Sequence, residues 1–98
     1  MPALTTKQIN LHLKSIPAWL KRSKTIHRTF KFEDFLQSIA LVNRVAQKAQ
    51  KLNHHPDIDI RYNKVTLKLT THDEGGLTGK DFLLAKQCDA VFAKVLKS

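Results

Sequence analysis

Ninety-eight residues, 42% of them hydrophobic, bound this chain to one domain with an ordinary core and exclude a disordered polypeptide. Seventeen Lys and Arg against eight Asp and Glu give a net charge of +9, yet no run reaches five like charges and Lys21-Arg22-Ser23-Lys24 is the densest cluster. No apolar stretch approaches the roughly 20 residues that span a bilayer. The single cysteine, Cys88, excludes an internal disulfide and any multi-cysteine metal site.

Thr5-Thr6-Lys7-Gln8 has the spacing of a capping box, with Ile9, Leu13 and Ile16 following at helical intervals until Pro17 stops the helix. Trp19-Leu20-Lys21 reads as a short strand. In the next one Ile26, Phe30 and Phe32 share one parity, and His27, Thr29 and Lys31 take the other. From Glu33 the period lengthens. Phe35, Leu36, Ile39, Val42, Ala46 and Ala49 form the stripe of a long helix, with Glu33 and Asp34 at its positive end. That helix ends before Pro56.

A hairpin comes next: Ile58, Ile60 and Tyr62 alternate on the way out, and Val65, Leu67 and Leu69 on the way back. Its turn is expected at Tyr62-Asn63-Lys64, because Asn tolerates positive φ. Glu74-Gly75-Gly76 is a loop. Thr78-Gly79-Lys80-Asp81 is a second capping box, opening a helix with Leu84, Ala85, Cys88, Val91, Phe92, Val95 and Leu96 on one broad face. The order α-β-β-α-β-β-α over residues 1–98 predicts one α+β domain, a four-stranded antiparallel sheet with three helices packed on one face.

Three of the five histidines flank the hairpin: Asn53-His54-His55-Pro56 before it and Thr70-Thr71-His72-Asp73 after it. Centring the turn on Asn63 sets His54 opposite His72, and a half-residue shift sets His55 there, with Cβ atoms roughly 5 Å apart if the pairing extends that far. Strand parity points His72 away from the apolar face or to the sheet's rim. Three histidines can ligate zinc, but two adjacent ones project in different directions, so an acid–base site is the better reading and no metal is expected. A histidine at 54 or 55 could equally cap the preceding helix. Asp81 fits the N3 position of the second capping box. Aromatic residues are not interleaved with the basic ones as base stacking requires, which argues against nucleic acid as partner.

Gln50-Lys51-Leu52-Asn53-His54-His55-Pro56, Tyr62-Asn63-Lys64-Val65, Thr71-His72-Asp73, Gly76-Leu77-Thr78 and Asp81 together resemble the signature of the pterin-4a-carbinolamine dehydratases, in order and separation. The resemblance covers nearly the whole chain. It implies a hydro-lyase that dehydrates 4a-hydroxytetrahydropterin to quinonoid dihydropterin, recycling the pterin of aromatic amino-acid hydroxylases. The pterin would be substrate, and no cofactor is implied. Carried over, His54 and His72 would be the acid–base pair and His55 would hold the substrate. Asn53, Thr70, Thr71, Asp73 and Asp81 would bind it. A homodimer or homotetramer is implied, and a protein partner is a further option on this fold. Where the family has an acid four residues before the first histidine, this chain has Gln50. An acid there would orient His54 and offset its positive charge, whereas an amide brings a hydrogen bond alone.

The rival reading is a non-catalytic interaction module or dimerisation cofactor on the same fold. Intact His54, His55 and His72 argue against it, since a scaffold has no chemical need for them. Met1-Pro2-Ala3-Leu4-Thr5 lacks the charged start and apolar run of a secretory signal, so the cytoplasm is the expected location.

Overall fold

A computed structural model describes residues 2–97. Its elements are α1 (Thr6–Leu13), β1 (Leu20–Arg22), β2 (Thr25–Lys31), α2 (Phe35–Leu52), β3 (Asp57–Arg61), β4 (Lys64–Leu69), a 3-10 turn (His72–Glu74) and α3 (Gly79–Lys97). The four strands form one antiparallel sheet in the order β1-β2-β4-β3. The expected α+β architecture and its element order are therefore present. No helix among the described residues is long and apolar enough to cross a membrane.

Helix starts follow the local chemistry. Thr5 closes the capping box: its hydroxyl accepts from the Gln8 amide at 3.2 Å, and its own amide donates to Gln8 Oε1 at 2.9 Å. Asp34 caps α2 by accepting from the Gln37 amide at 2.9 Å. α1 stops at Leu13, short of Pro17, in a turn where the Ser15 hydroxyl and amide both bond the His12 carbonyl. The proline ring already disfavours α conformation at Ile16, which instead drops into the core with no exposure.

Both hairpins close with two-residue turns whose first member takes positive φ, Ser23 at 55° and Tyr62 at 53°. The second turn departs from expectation. Its centre lies between Tyr62 and Asn63, and Tyr62 rather than Asn63 carries the positive φ. Asn63 instead anchors the turn. Its side-chain amide donates to the Phe32 carbonyl at 3.0 Å, and its carbonyl accepts from the Phe32 amide at 2.8 Å. The hairpin tip is thereby tied to the end of β2.

The inward sheet face offers Ile26, Phe30, Val65, Leu67 and Leu69, all fully buried beneath Leu41 and Val45 of α2 and Leu84, Ala85 and Cys88 of α3. The core face of α2 is Ser38, Leu41, Val45 and Ala49. The expected stripe lies one step round the helix, and two of its members, Phe35 and Leu36, are 48% and 77% exposed. The apolar arc of α2 is wider than its contact. Ser38, the polar residue inside that contact, bonds the Asp34 carbonyl at 3.5 Å. In α3, Phe82 joins the core and Leu96 stays exposed. A partly buried cluster closes the far side: Asp89 Oδ1 accepts from Trp19 Nε1 at 2.8 Å and from Arg28 at 2.6 Å, with Arg28 stacked over Phe30 and Phe92.

Candidate active site

The site begins at the C-terminus of α2. Asn53 takes the left-handed conformation (φ 50°, ψ 44°), which Asn tolerates better than most side chains. The Asn53 amide then returns to the Gln50 carbonyl at 3.2 Å and the His54 amide to the Ala49 carbonyl at 3.0 Å. This is the Schellman pattern that satisfies the last carbonyls of a helix. Backbone groups therefore cap α2, and both imidazoles remain available for other partners.

The return side is built from a closed loop. Thr71 and Gly76 exchange backbone hydrogen bonds (3.2 and 3.3 Å), and Gly75 turns the chain between them at φ 70°. His72 opens the 3-10 turn at the rim of the sheet and is exposed. The ladder does not place it opposite His54 or His55. Pairing ends at Asp57 with Lys68, since Pro56 offers no amide hydrogen and Asn53 has already redirected the chain. The observed register, extended, would set Asn53 rather than a histidine across from His72. Proximity comes instead from a shared cleft of about 240 Å³, lined by Asn53, His54, His55, Thr70, Thr71, His72 and Asp73.

Behind this cleft lies a carboxylate. Asp81 is fully buried and stands at the N3 position of α3. Its Oδ2 accepts from the Thr78 amide at 2.9 Å and from the Thr71 hydroxyl at 2.8 Å, while its Oδ1 meets His54 Nε2 at 2.5 Å. Capping residue and histidine partner are thus one side chain. The resemblance implies a substrate-binding role for Asp81, but it does not line the cleft, and protein donors engage both of its oxygens. An ionised carboxylate only accepts, so this contact places a proton on His54 Nε2. Among the described residues no buried side-chain nitrogen or oxygen lacks a partner. Nδ1 of His54 has no hydrogen-bond partner and is therefore not sealed from solvent.

Gln50 also differs from expectation. It orients His55, whose Nε2 lies 3.0 Å from Gln50 Oε1, and Asp81 supplies the partner of His54. The i to i+5 reach follows from the Schellman turn, which folds His55 back along the last turn of α2. Of the two threonines, Thr70 donates to the Lys24 carbonyl at 2.7 Å, and Thr71 is held by Asp81 and by Thr78 Oγ1 at 2.9 Å. Both present the cleft with groups already fixed by the protein. No group of three His, Cys, Asp or Glu among the described residues is arranged to hold a metal ion.

Three imidazoles on one cleft, one braced by a buried carboxylate, on a sheet covered by helices on one face, define a class: an α+β domain with a small polar cleft lined by titratable side chains. The family model for pterin 4 alpha carbinolamine dehydratase matches residues 2–91. A protein of Acidobacterium capsulatum, provisionally named pterin-4-alpha-carbinolamine dehydratase, is 52% identical over 93% of this chain and 99% of its own. A Picosynechococcus protein of the same provisional name is 50% identical over 88% and 94%. The crystal structure of a transcriptional coactivator/pterin dehydratase from Brucella melitensis superposes with a TM-score of 0.88 at 35% identity, covering 91% of this chain and 97% of that one. A pterin dehydratase-like protein identified as a RuBisCO assembly factor shares the fold at a TM-score of 0.63 and 19% identity, over 76% and 86%. The chain belongs to the pterin-4a-carbinolamine dehydratase family.

Proposed function

We propose that this protein dehydrates 4a-hydroxytetrahydropterin to quinonoid dihydropterin, by proton transfer through His54 and His72. The observation that carries the reading is the convergence of His54, His55 and His72 on one cleft, with Asp81 buried behind His54. In the reaction the C4a–O bond breaks and its electron pair leaves with the hydroxyl, which takes a proton and departs as water. The N5–H bond supplies the electron pair of the new C4a=N5 bond, and its proton passes to a base. One donor and one acceptor suffice, and no electrons are exchanged with a cofactor.

His54, with Nε2 held by Asp81, and His72, which lines the same cleft, are the donor and acceptor. His55 holds the substrate. Asn53 and Asp73 offer an amide and a carboxylate to the amino-pyrimidine edge, and Thr70 and Thr71 line the cleft beside them. The experiment is the ultraviolet decay of chemically generated 4a-hydroxytetrahydropterin. Acceleration by the wild type and loss of it in His72→Ala are expected. A folded protein that gives no acceleration sinks the proposal.

A second reading has its own observation. Phe35 and Leu36 leave an apolar surface on α2 uncovered, which suits a second copy of the chain or a protein partner. The Brucella relative is described as a coactivator as well as a dehydratase. A partner role would survive substitution of the three histidines, whereas turnover would not.

A further inference from the structure

Two neighbouring histidines line the same cleft, each with an oxygen partner at Nε2, and the two partners differ in charge. Asp81 Oδ1 takes Nε2 of His54 at 2.5 Å from a fully buried position. Gln50 Oε1 takes Nε2 of His55 at 3.0 Å from the exposed last turn of α2. A carboxylate oxygen accepts only, and so does the Gln50 amide oxygen in the orientation it takes here, so each contact is matched by a proton on Nε2 and leaves Nδ1 as the acceptor of the ring. Only the carboxylate offsets the charge of an imidazolium, and in a buried setting that difference is large.

We propose that Gln50 is a positioning residue for His55, and that the pairing of an amide with His55 and a carboxylate with His54 makes the two rings unequal in their work. His54 is the imidazole that takes up positive charge during proton transfer. His55 holds the ligand by accepting an N–H or O–H at Nδ1. This assignment rests on the dehydratase reading for its chemistry, although the ring geometry does not. Gln50 itself lies outside the cleft, beside Ala46, Gln47 and Lys51, so it acts only through the ring it holds.

The test uses the intact protein. Ring nitrogen NMR on the resting wild type is expected to show His54 and His55 both as Nε2–H tautomers. Gln50→Leu, at an exposed position, removes the acceptor and should leave His55 in mixed tautomers. Equilibrium binding of a stable 7,8-dihydropterin should weaken roughly 3- to 10-fold, the worth of one neutral hydrogen bond. In turnover the same variant should raise KM by a similar factor and lower kcat by less. Gln50→Glu keeps an acceptor oxygen and should restore the Nε2–H tautomer. Three results would overturn the assignment: an Nδ1–H tautomer at His55 in the wild type, dihydropterin binding by Gln50→Leu equal to wild type, or a Gln50→Leu loss confined to kcat. A wild type with both tautomers as stated and intact dihydropterin binding, but no turnover, sinks the dehydratase reading and leaves the role of Gln50 supported.

Discussion

Asp81→Asn changes almost no volume and asks whether the buried carboxylate does more than cap a helix. In the native protein three donors converge on it: His54 Nε2 at 2.5 Å, the Thr71 hydroxyl at 2.8 Å and the Thr78 amide at 2.9 Å. An asparagine has one oxygen to offer. Turned toward His54, its NH2 would face the Thr78 amide, and a backbone donor has no alternative form. Turned the other way, the oxygen still serves Thr71 and Thr78, and His54 adapts by moving its proton from Nε2 to Nδ1. The second arrangement costs less. Three charge-assisted bonds become neutral ones while the burial cost of the charge is lifted, a net loss of about 2–3 kcal/mol, which lowers Tm by roughly 10–20 °C in a domain of this size. The tautomer that results carries its proton on Nδ1, the nitrogen left without a protein partner, and lacks the counter-charge, so turnover should fall roughly 100-fold or more. Urea denaturation and the ultraviolet decay assay read the two effects separately. Asp89→Ala, on the far side of the core, supplies a variant of comparable instability with its cleft untouched. Turnover of Asp81→Asn within about threefold of Asp89→Ala would refute the assignment of His54 as a carboxylate-braced proton carrier.

His72→Ala, at an exposed position on a 3-10 turn, should abolish most turnover while the stability read by urea denaturation changes by less than about 0.5 kcal/mol. Asp89→Ala removes the shared acceptor of Trp19 and Arg28 and should cost about 2–3 kcal/mol by urea denaturation, since two partly buried donors lose their partner. Burial, with Asp89 beside it, pushes the Cys88 thiol up to about 12. A thiol-specific reagent at pH 8 should therefore label the unfolded chain and leave the native one unmodified. By the same linkage the contribution of Cys88 to stability is whole below the ordinary thiol range and falls as pH rises through it, because the unfolded chain ionises first. Leu36→Glu, at a 77% exposed apolar site on α2, should reduce the mass measured by light scattering if that face joins copies of the chain. An unchanged mass would remove α2 from the interface.

Much of the fold is legible in the sequence because its causes are local. A capping box needs four residues, and Thr5 with Gln8 behaves as written. Alternation along β2 and β4 separates the inward from the outward face without reference to anything distant. The core face of α2 departs from the expected stripe because two neighbouring arcs of that helix are apolar, and only the sheet and α3 decide which arc they cover. The centre of the second turn differs by half a residue, since Tyr62 and Asn63 share a turn in which the bulkier residue takes the strained φ.

The candidate site divides along the same line. Its residue types, the paired histidines before a proline and the third beyond the hairpin, stand in the sequence, as does the family they resemble. Their pairing does not. Asp81 is separated from His54 by 27 residues, and its local surroundings account for it as a helix cap. Only the docking of the start of α3 against the end of α2 carries that cap to an imidazole. A helical periodicity extended past Leu52 would join Gln50 to His54, whereas the left-handed Asn53 ends the helix and returns His55 instead. Sequence by itself determined which groups could move a proton. Tertiary structure decided which partner each would have, because hydrogen bonding is set by distance in space and the turns at Asn53 and Gly75 bring together groups far apart along the chain.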